Sequence, residues 1–291
     1  MPDLITAAEL RTVLTDRADA EHGTQPRILD VRYRLGFTDG HANYLAGHIP
    51  GAVFADLEAE LAGHGSASDG RHPLPSDEEL EQAARRWGIR QGQSVVVYDD
   101  SRSLPASRAW WALRRAGIAD VRVLDGGLGA WRAAGGELET GAVTPPPGDV
   151  VLGRPGTTDV LGTDEVEGWG GVLLDARAAE RFRGEAEPID PVAGHIPGAR
   201  NMPIAELLTP DGRFRSPSEI EAAFEAVGAG EEVPIAAYCG SGVTAAQLAL
   251  AGALIGREVT LYPGSWSAWS NTPGRPVEVG PVPAEDDPLD E

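Results

Sequence analysis

Residues 239–245 read Cys-Gly-Ser-Gly-Val-Thr-Ala and hold the single cysteine of a 291-residue chain. The apolar run 234–238, Pro-Ile-Ala-Ala-Tyr, precedes them and an Ala/Leu-rich segment follows, so the pattern is a strand, a tight turn and the start of a helix. Gly240 and Gly242, with the small residues Ser241 and Thr244 and with Val243 at the helix start, let the backbone close around the sulfur. Amide N–H groups then turn inward and the positive end of the helix aims at the same point. Such a bowl stabilises a thiolate and can hold an anion. A lone cysteine after an apolar strand is ordinarily packing. Packing, however, needs no glycines on the C-terminal side, whereas a cysteine that opens a glycine-rich turn has a reason to react. Two chemistries suit a thiolate in an anion-binding bowl: sulfur transfer and phosphoester hydrolysis. The second needs Cys-x5-Arg, a longer loop whose arginine clamps the phosphate, and here the sixth residue after Cys239 is Ala245. A smaller loop fits a sulfur atom bonded to the cysteine.

The elements around this turn come in two copies. Leu29-Asp-Val-Arg32 is answered by Leu174-Asp-Ala-Arg177, Gly47-His-Ile-Pro-Gly-Ala52 by Gly194-His-Ile-Pro-Gly-Ala199, Tyr98-Asp99 by Tyr238-Cys239, and the segment ending at Trp131 by the one ending at Trp269. The offset between copies drifts only by small insertions, so the chain is a duplicated domain. In the first copy a capping box at Thr6–Glu9 opens a helix to about Arg17, and residues 27–31 form a short strand. An irregular region with a Gly/Ser-rich loop at 63–70 follows, then a helix opened by Ser76, an apolar strand 94–98, a helix 106–116 and a strand 121–124. Strand, helix, strand in that order predicts a parallel α/β sheet. The domain boundaries expected are 1–140, a Pro/Gly-rich linker 141–156, a second domain 157–280 and an acidic tail 281–291.

Composition narrows the setting. The chain is long enough for two ordinary domains, and its 42% hydrophobic residues supply a core for each. One cysteine leaves no intramolecular disulfide and no multi-cysteine metal site, so a reducing, cytoplasmic setting without metal or cofactor is expected. Neither a basic-then-apolar leader nor an apolar run of roughly 18 residues is present. The net charge of −21, from 24 basic and 45 acidic residues, repels nucleic acid and anionic membranes, so neither is an expected partner. A small anion feels the same repulsion, and its site must overcome it locally with arginines and helix N-termini, within a Debye length of about 8 Å.

The paired Gly-His-Ile-Pro-Gly-Ala motifs, the Leu-Asp-x-Arg strand ends, the Asp125-Gly-Gly-Leu…Trp131 segment and the Cys239 loop resemble the two-domain rhodanese sulfurtransferases over nearly the whole chain. The loop is most similar to the mercaptopyruvate branch. The resemblance implies an α/β fold of two tandem rhodanese-like domains, each a parallel five-stranded sheet flanked by helices, with catalysis in the second. It also implies a sulfurtransferase that moves sulfur from thiosulfate or 3-mercaptopyruvate, through a Cys239 persulfide, to cyanide or a thiol acceptor such as a small thiol or a thioredoxin-like protein. A non-catalytic sulfur carrier is the alternative.

The repeat serves as an internal control on the candidate residues. His48 with His195, Asp30 with Asp175 and Arg32 with Arg177 occur in both copies and are expected to serve the fold. Arg181 occurs only beside the cysteine, and it matches the Arg-Phe/Tyr segment whose arginine, in the family, reaches over the cysteine to the substrate anion. Arg183 is an accessory candidate. Where the mercaptopyruvate branch has a second substrate arginine, this chain has Ile189. His72 and Glu58 resemble a histidine and an aspartate that join the loop serine, here Ser241, in proton transfer. The first-copy turn, Asp-Asp-Ser-Arg-Ser-Leu-Pro from 99 to 105, lacks glycines, so its amides are not expected to converge on a sulfur placed at 99.

Overall fold

The computed structural model describes residues 3–16, 25–153 and 160–281. Its first half runs β1 (Leu4–Ile5), α1 (Ala7–Asp16), β2 (Arg27–Asp30), α2 (Gly40–Ala46), β3 (Val53–Phe54), α3 (Leu57–Glu60), α4 (Asp77–Arg86), β4 (Val95–Tyr98), α5 (Leu104–Arg115), β5 (Val121–Leu124) and α6 (Gly127–Ala133). The second half runs α7 (Thr163–Glu167), β6 (Val172–Asp175), α8 (Ala179–Phe182), β7 (Arg200–Asn201), α9 (Pro217–Ala226), β8 (Ile235–Tyr238), α10 (Val243–Leu254), β9 (Val259–Leu261) and α11 (Ser265–Ser270). Helix α4 starts where the sequence signal lies: Ser76 accepts from Glu79 N–H while Glu79 returns to Ser76 N–H.

Both sheets are parallel. The first has the order β1-β5-β4-β2-β3 and the second β7-β6-β8-β9. Where the first sheet has β1, the second shows a single parallel bridge, Val160 to Leu261, so among the described residues it has four strands and not the five expected. The central strands β4 and β8 are buried along their whole length, as unbroken apolar runs in a parallel sheet must be. In each half the first central strand ends in a buried carboxylate that takes the guanidinium two residues on, Asp30 with Arg32 and Asp175 with Arg177. Those arginines also donate to Gly47 O at 2.8 Å and Gly194 O at 2.7 Å, tying strand end to the following loop. His48 and His195 donate through Nδ1 to Tyr44 O and Phe182 O, the fold-serving role their duplication suggests.

The two halves share one core. Helix α10 packs along α5, and a single apolar cluster joins Ala109, Trp111 and Leu113 to Ala245, Leu248 and Ala249. The described part of the connecting segment is stitched to the first half: Gly148 N–H donates to Arg85 O, Arg85 Nε to Val150 O, and Val150 and Leu152 are buried. Expectations for Arg17, for residues 154–156 of the linker and for 282–291 of the tail fall outside the described residues. Among the described residues no helix is long and apolar enough to cross a membrane.

Candidate active site

Strand β8 delivers Cys239 to the C-terminal edge of the second sheet, and the turn 239–242 hands the chain to α10. Gly242 makes that turn possible, because its φ of +77° lies in the left-handed region. A Cβ there would stand 2.5 Å from Pro263 O. The Gly242 N–H points back at Cys239 Sγ at 3.1 Å, at the N-terminus of a 12-residue helix. The segment opening α11 clamps the loop from the other side. Ser265 Oγ accepts from Cys239 N–H at 3.1 Å, and Trp266 and Ser267 N–H donate to the carbonyls of Cys239 and Gly240, each at 2.9 Å. Cys239 is 1% exposed, and its exposed fraction faces a cavity of about 740 Å³ between the halves.

Gly240, Ser241, Val243, Thr244, Arg181 and His72 line that cavity with Cys239. His72 arrives from the first half two residues after the Gly/Ser-rich loop 63–70. That loop contains a 3-10 turn, Ala67–Asp69, seated against α11. Gly70, with φ +92°, permits the approach, since a Cβ there would stand 2.6 Å from Gly264 O. His72 Nδ1 meets Ser241 Oγ at 2.8 Å. Its Nε2 lies 3.2 Å from the hydroxyl of Tyr33, which donates to Glu58 Oε1 at 3.1 Å. Glu58 itself is exposed and stands at the outer end of this chain. Burial, then the positive charges of Arg108 and Arg71, push the His72 pKa down to about 4. The imidazole is therefore neutral near pH 7.

Arg181 reaches over the loop from α8. A Cβ on Gly240 would lie 3.5 Å from its Nη1. Its Nε and Nη2 are engaged by Glu187 at 2.7 to 3.2 Å, and Nη2 also by Asp190 at 3.2 Å. Both carboxylates are nearly fully buried. Burial raises the Glu187 pKa, but hydrogen bonds from Arg181 and from the N–H groups of Asp190 and Ile189 outweigh it and hold the carboxyl below its ordinary value. Arg183 corrects the expectation made for it. It points to solvent, pairs with Glu185 at 2.7 Å and does not line the cavity, because it sits past the end of the short α8 and faces away.

A family model for the rhodanese-like domain matches residues 11–134 and 162–272. The chain belongs to the rhodanese family. It is 50% identical over 95% of its length to "Putative thiosulfate sulfurtransferase SseB" of Mycobacterium tuberculosis, covering 97% of that protein. It is 39% identical over 89% of its length to the 3-mercaptopyruvate sulfurtransferase of Escherichia coli, covering 95% of that protein. Among solved structures it resembles the crystal structure of SseA from Escherichia coli, described as having the rhodanese fold of 3-mercaptopyruvate sulfotransferases. The TM-score is 0.78 at 36% identity, over 91% of this chain and 99% of that one.

Besides Tyr33 and the pairing of Asp190, two arginines of this rhodanese site escape the sequence reading. Arg108, on α5, is fully buried and donates from Nη2 to His72 O at 3.0 Å and from Nη1 towards Gly242 O at 3.4 Å. Burial lowers its pKa to about 10, which the nearby Cys239 partly offsets. One first-half side chain thus steadies both the histidine loop and the cysteine loop. Arg71 lines the cavity beside His72, and its Nη2 is paired with Asp190. Neither arginine stands in a repeated motif, and the adjacency of Arg71 to His72 was the one available signal.

Proposed function

We propose that this protein is a sulfurtransferase that carries sulfane sulfur on Cys239. The observation that carries the reading is the Gly242 N–H on Cys239 Sγ, within a loop that shares one cavity with Arg181 and the Ser241–His72 pair. The thiolate attacks the outer sulfur of thiosulfate and sulfite leaves, or it attacks the sulfur of 3-mercaptopyruvate and the enolate of pyruvate leaves and takes a proton. Either route makes a Cys239 persulfide. A second nucleophile, cyanide or a thiol, then attacks the outer sulfur and restores the thiolate. Gly242 N–H and the N-terminus of α10 face the charge that forms and disappears at sulfur.

The carboxylates of Glu187 and Asp190 offset the charge of Arg181, so its contribution is directional hydrogen bonding rather than net attraction. The enolate pathway needs a proton. The hydrogen-bonded chain Ser241–His72–Tyr33 runs out to the exposed Glu58, so a proton from bulk water can reach the cavity along it and replace the one Ser241 gives to the enolate, with His72 as a neutral relay. Gly240, Val243 and Thr244 form an uncharged floor that fits either donor. A small thiol or a thioredoxin-like protein is the acceptor in the cytoplasm.

Thiocyanate release from cyanide, with kcat/KM measured for thiosulfate and for 3-mercaptopyruvate, tests the reading. Turnover with both donors is expected. A persulfide that forms but never turns over would mark a sulfur carrier, and no reaction with either donor would refute the assignment.

A further inference from the structure

Ile189, from the second half, stands on the cavity lining, 44% exposed, and brings no charge there. We propose that Arg71, supplied by the non-catalytic half, provides the second clamp on the anionic end of the sulfur donor. This rests on the sulfurtransferase reading above.

Three observations lead to it. A Cβ on Gly240 would stand 3.5 Å from Arg181 Nη1, 3.8 Å from Arg181 Nη2 and 3.9 Å from Arg71 Nη1, so its three nearest neighbours are guanidinium nitrogens. Two guanidinium groups from opposite halves therefore converge on one open space beside the nucleophile. One buried carboxylate sets that convergence, for Asp190 takes Arg71 Nη2 on Oδ1 and Arg181 Nη2 on Oδ2. Burial raises the Asp190 pKa, and the two arginines oppose the shift. Each guanidinium thus has one side committed to Asp190 and turns Nη1 towards Gly240. Finally, the base of Arg71 is fixed to the catalytic loop: its N–H donates to Ser267 Oγ at 3.0 Å, and Ser267 N–H holds Gly240 O at 2.9 Å. A carboxylate or sulfonate standing over Gly240 would be met by planar donors from two directions, the arrangement that favours paired hydrogen bonds.

The alternative is that Arg71 only staples the halves together through Asp190, and steady-state kinetics of the full chain separate the two. Arg71→Ala should raise KM for thiosulfate and for 3-mercaptopyruvate by about tenfold, with kcat changed by less than about threefold, because the donor's resting charge is what is held. Adding Ile189→Arg to Arg71→Ala should recover most of the KM for 3-mercaptopyruvate. Arg71→Lys, which keeps a charge for Asp190 but loses the fork, should raise KM by a smaller factor and serves if the alanine variant folds poorly. A KM unchanged in a folded Arg71→Ala or Arg71→Lys protein would overturn the inference while leaving the sulfurtransferase reading intact. A wild-type protein that uses neither donor would overturn both, and that result is visible before any variant is made.

Discussion

Buried against Arg108 and Arg71, with its pKa pressed from 6.5 to about 4, His72 prefers its neutral form when folded. The unfolded chain therefore binds the extra proton first as pH falls, and the folded state loses stability between about pH 6.5 and 4. His72→Gln keeps a hydrogen-bonding partner for Ser241 but cannot titrate. Urea unfolding at pH 7 and pH 4.5 should show wild type losing about 2 to 3 kcal/mol more than His72→Gln over that interval. The opposite tendency of Asp99, raised to about 6 by burial, is common to both proteins and cancels. Equal losses would mean that the histidine is charged in the folded state. For Arg181, truncation to alanine removes the Nη1 that faces Gly240 and takes one guanidinium partner from each of Glu187 and Asp190. Arg181→Ala should lower kcat/KM for both donors by at least about tenfold, measured as thiocyanate release. At this scale the sequence was most legible where a residue was unique: Cys239 is the single cysteine, and Arg181 lacks a counterpart in the first copy. Arg71, Arg108, Tyr33 and the pairing of Asp190 were not legible, because the reach of a long side chain depends on which loop folds against it.

Between elements, the informative comparison is the loop after β4 against the loop after β8. The expectation that amides would not converge at position 99 fails: the Asp99 carboxylate accepts from the N–H groups of Ser101 at 2.7 Å, Ser103 at 3.0 Å and Ala106 at 3.0 Å. Arg102 and Ser103 take the positive φ that Gly242 takes in the other loop, at 63° and 64°. The first-half bowl is thus intact and filled by its own anion. Asp99 is fully buried and does not line the cavity, so Asp99→Cys should form no persulfide in a Cys239→Ser background, by intact mass after thiosulfate treatment. A persulfide at position 99 would contradict that. Gly242→Ala presents the complementary case, since its Cβ would collide with Pro263 O and must adopt a positive φ. It should cost about 1 to 2 kcal/mol in backbone strain alone and lower the rate of persulfide formation at least about tenfold, read by stopped-flow or quench and mass analysis. The regular elements with strong periodicity or caps, such as α4, β4 and β5, were readable from the chain. Helices α2 and α3 were not, because each is one or two turns long and owes its form to tertiary packing around Tyr44 and Leu57.

Across the whole molecule, the duplication yields one site rather than two. The second half brings Cys239 and Arg181 to the cavity; the first brings His72, Tyr33 and Arg71, with Arg108 beneath them. Arg108→Leu would leave the carbonyls of His72 and Gly242 without their buried donor. It should cost at least about 2 kcal/mol in urea unfolding and lower kcat/KM for both donors, because both site-forming loops lose the same anchor. The overall charge of −21 gives the donor no long-range help, so on this reading its capture depends on the few guanidinium groups that line the cavity. The repeat made the two-sheet plan visible in the sequence, whereas the loop exchange that builds the cavity followed only from the packing of α5 on α10 and of the 67–69 turn on α11. On the proposed mechanism, sulfur travels on Cys239. Intact-mass measurement of the protein after brief exposure to thiosulfate or 3-mercaptopyruvate tests it most directly. A gain of one sulfur atom, about 32 Da, that maps to Cys239, is lost on adding cyanide and is absent from Cys239→Ser is the predicted result. An unmodified Cys239, or a gain that persists in Cys239→Ser, would contradict the account.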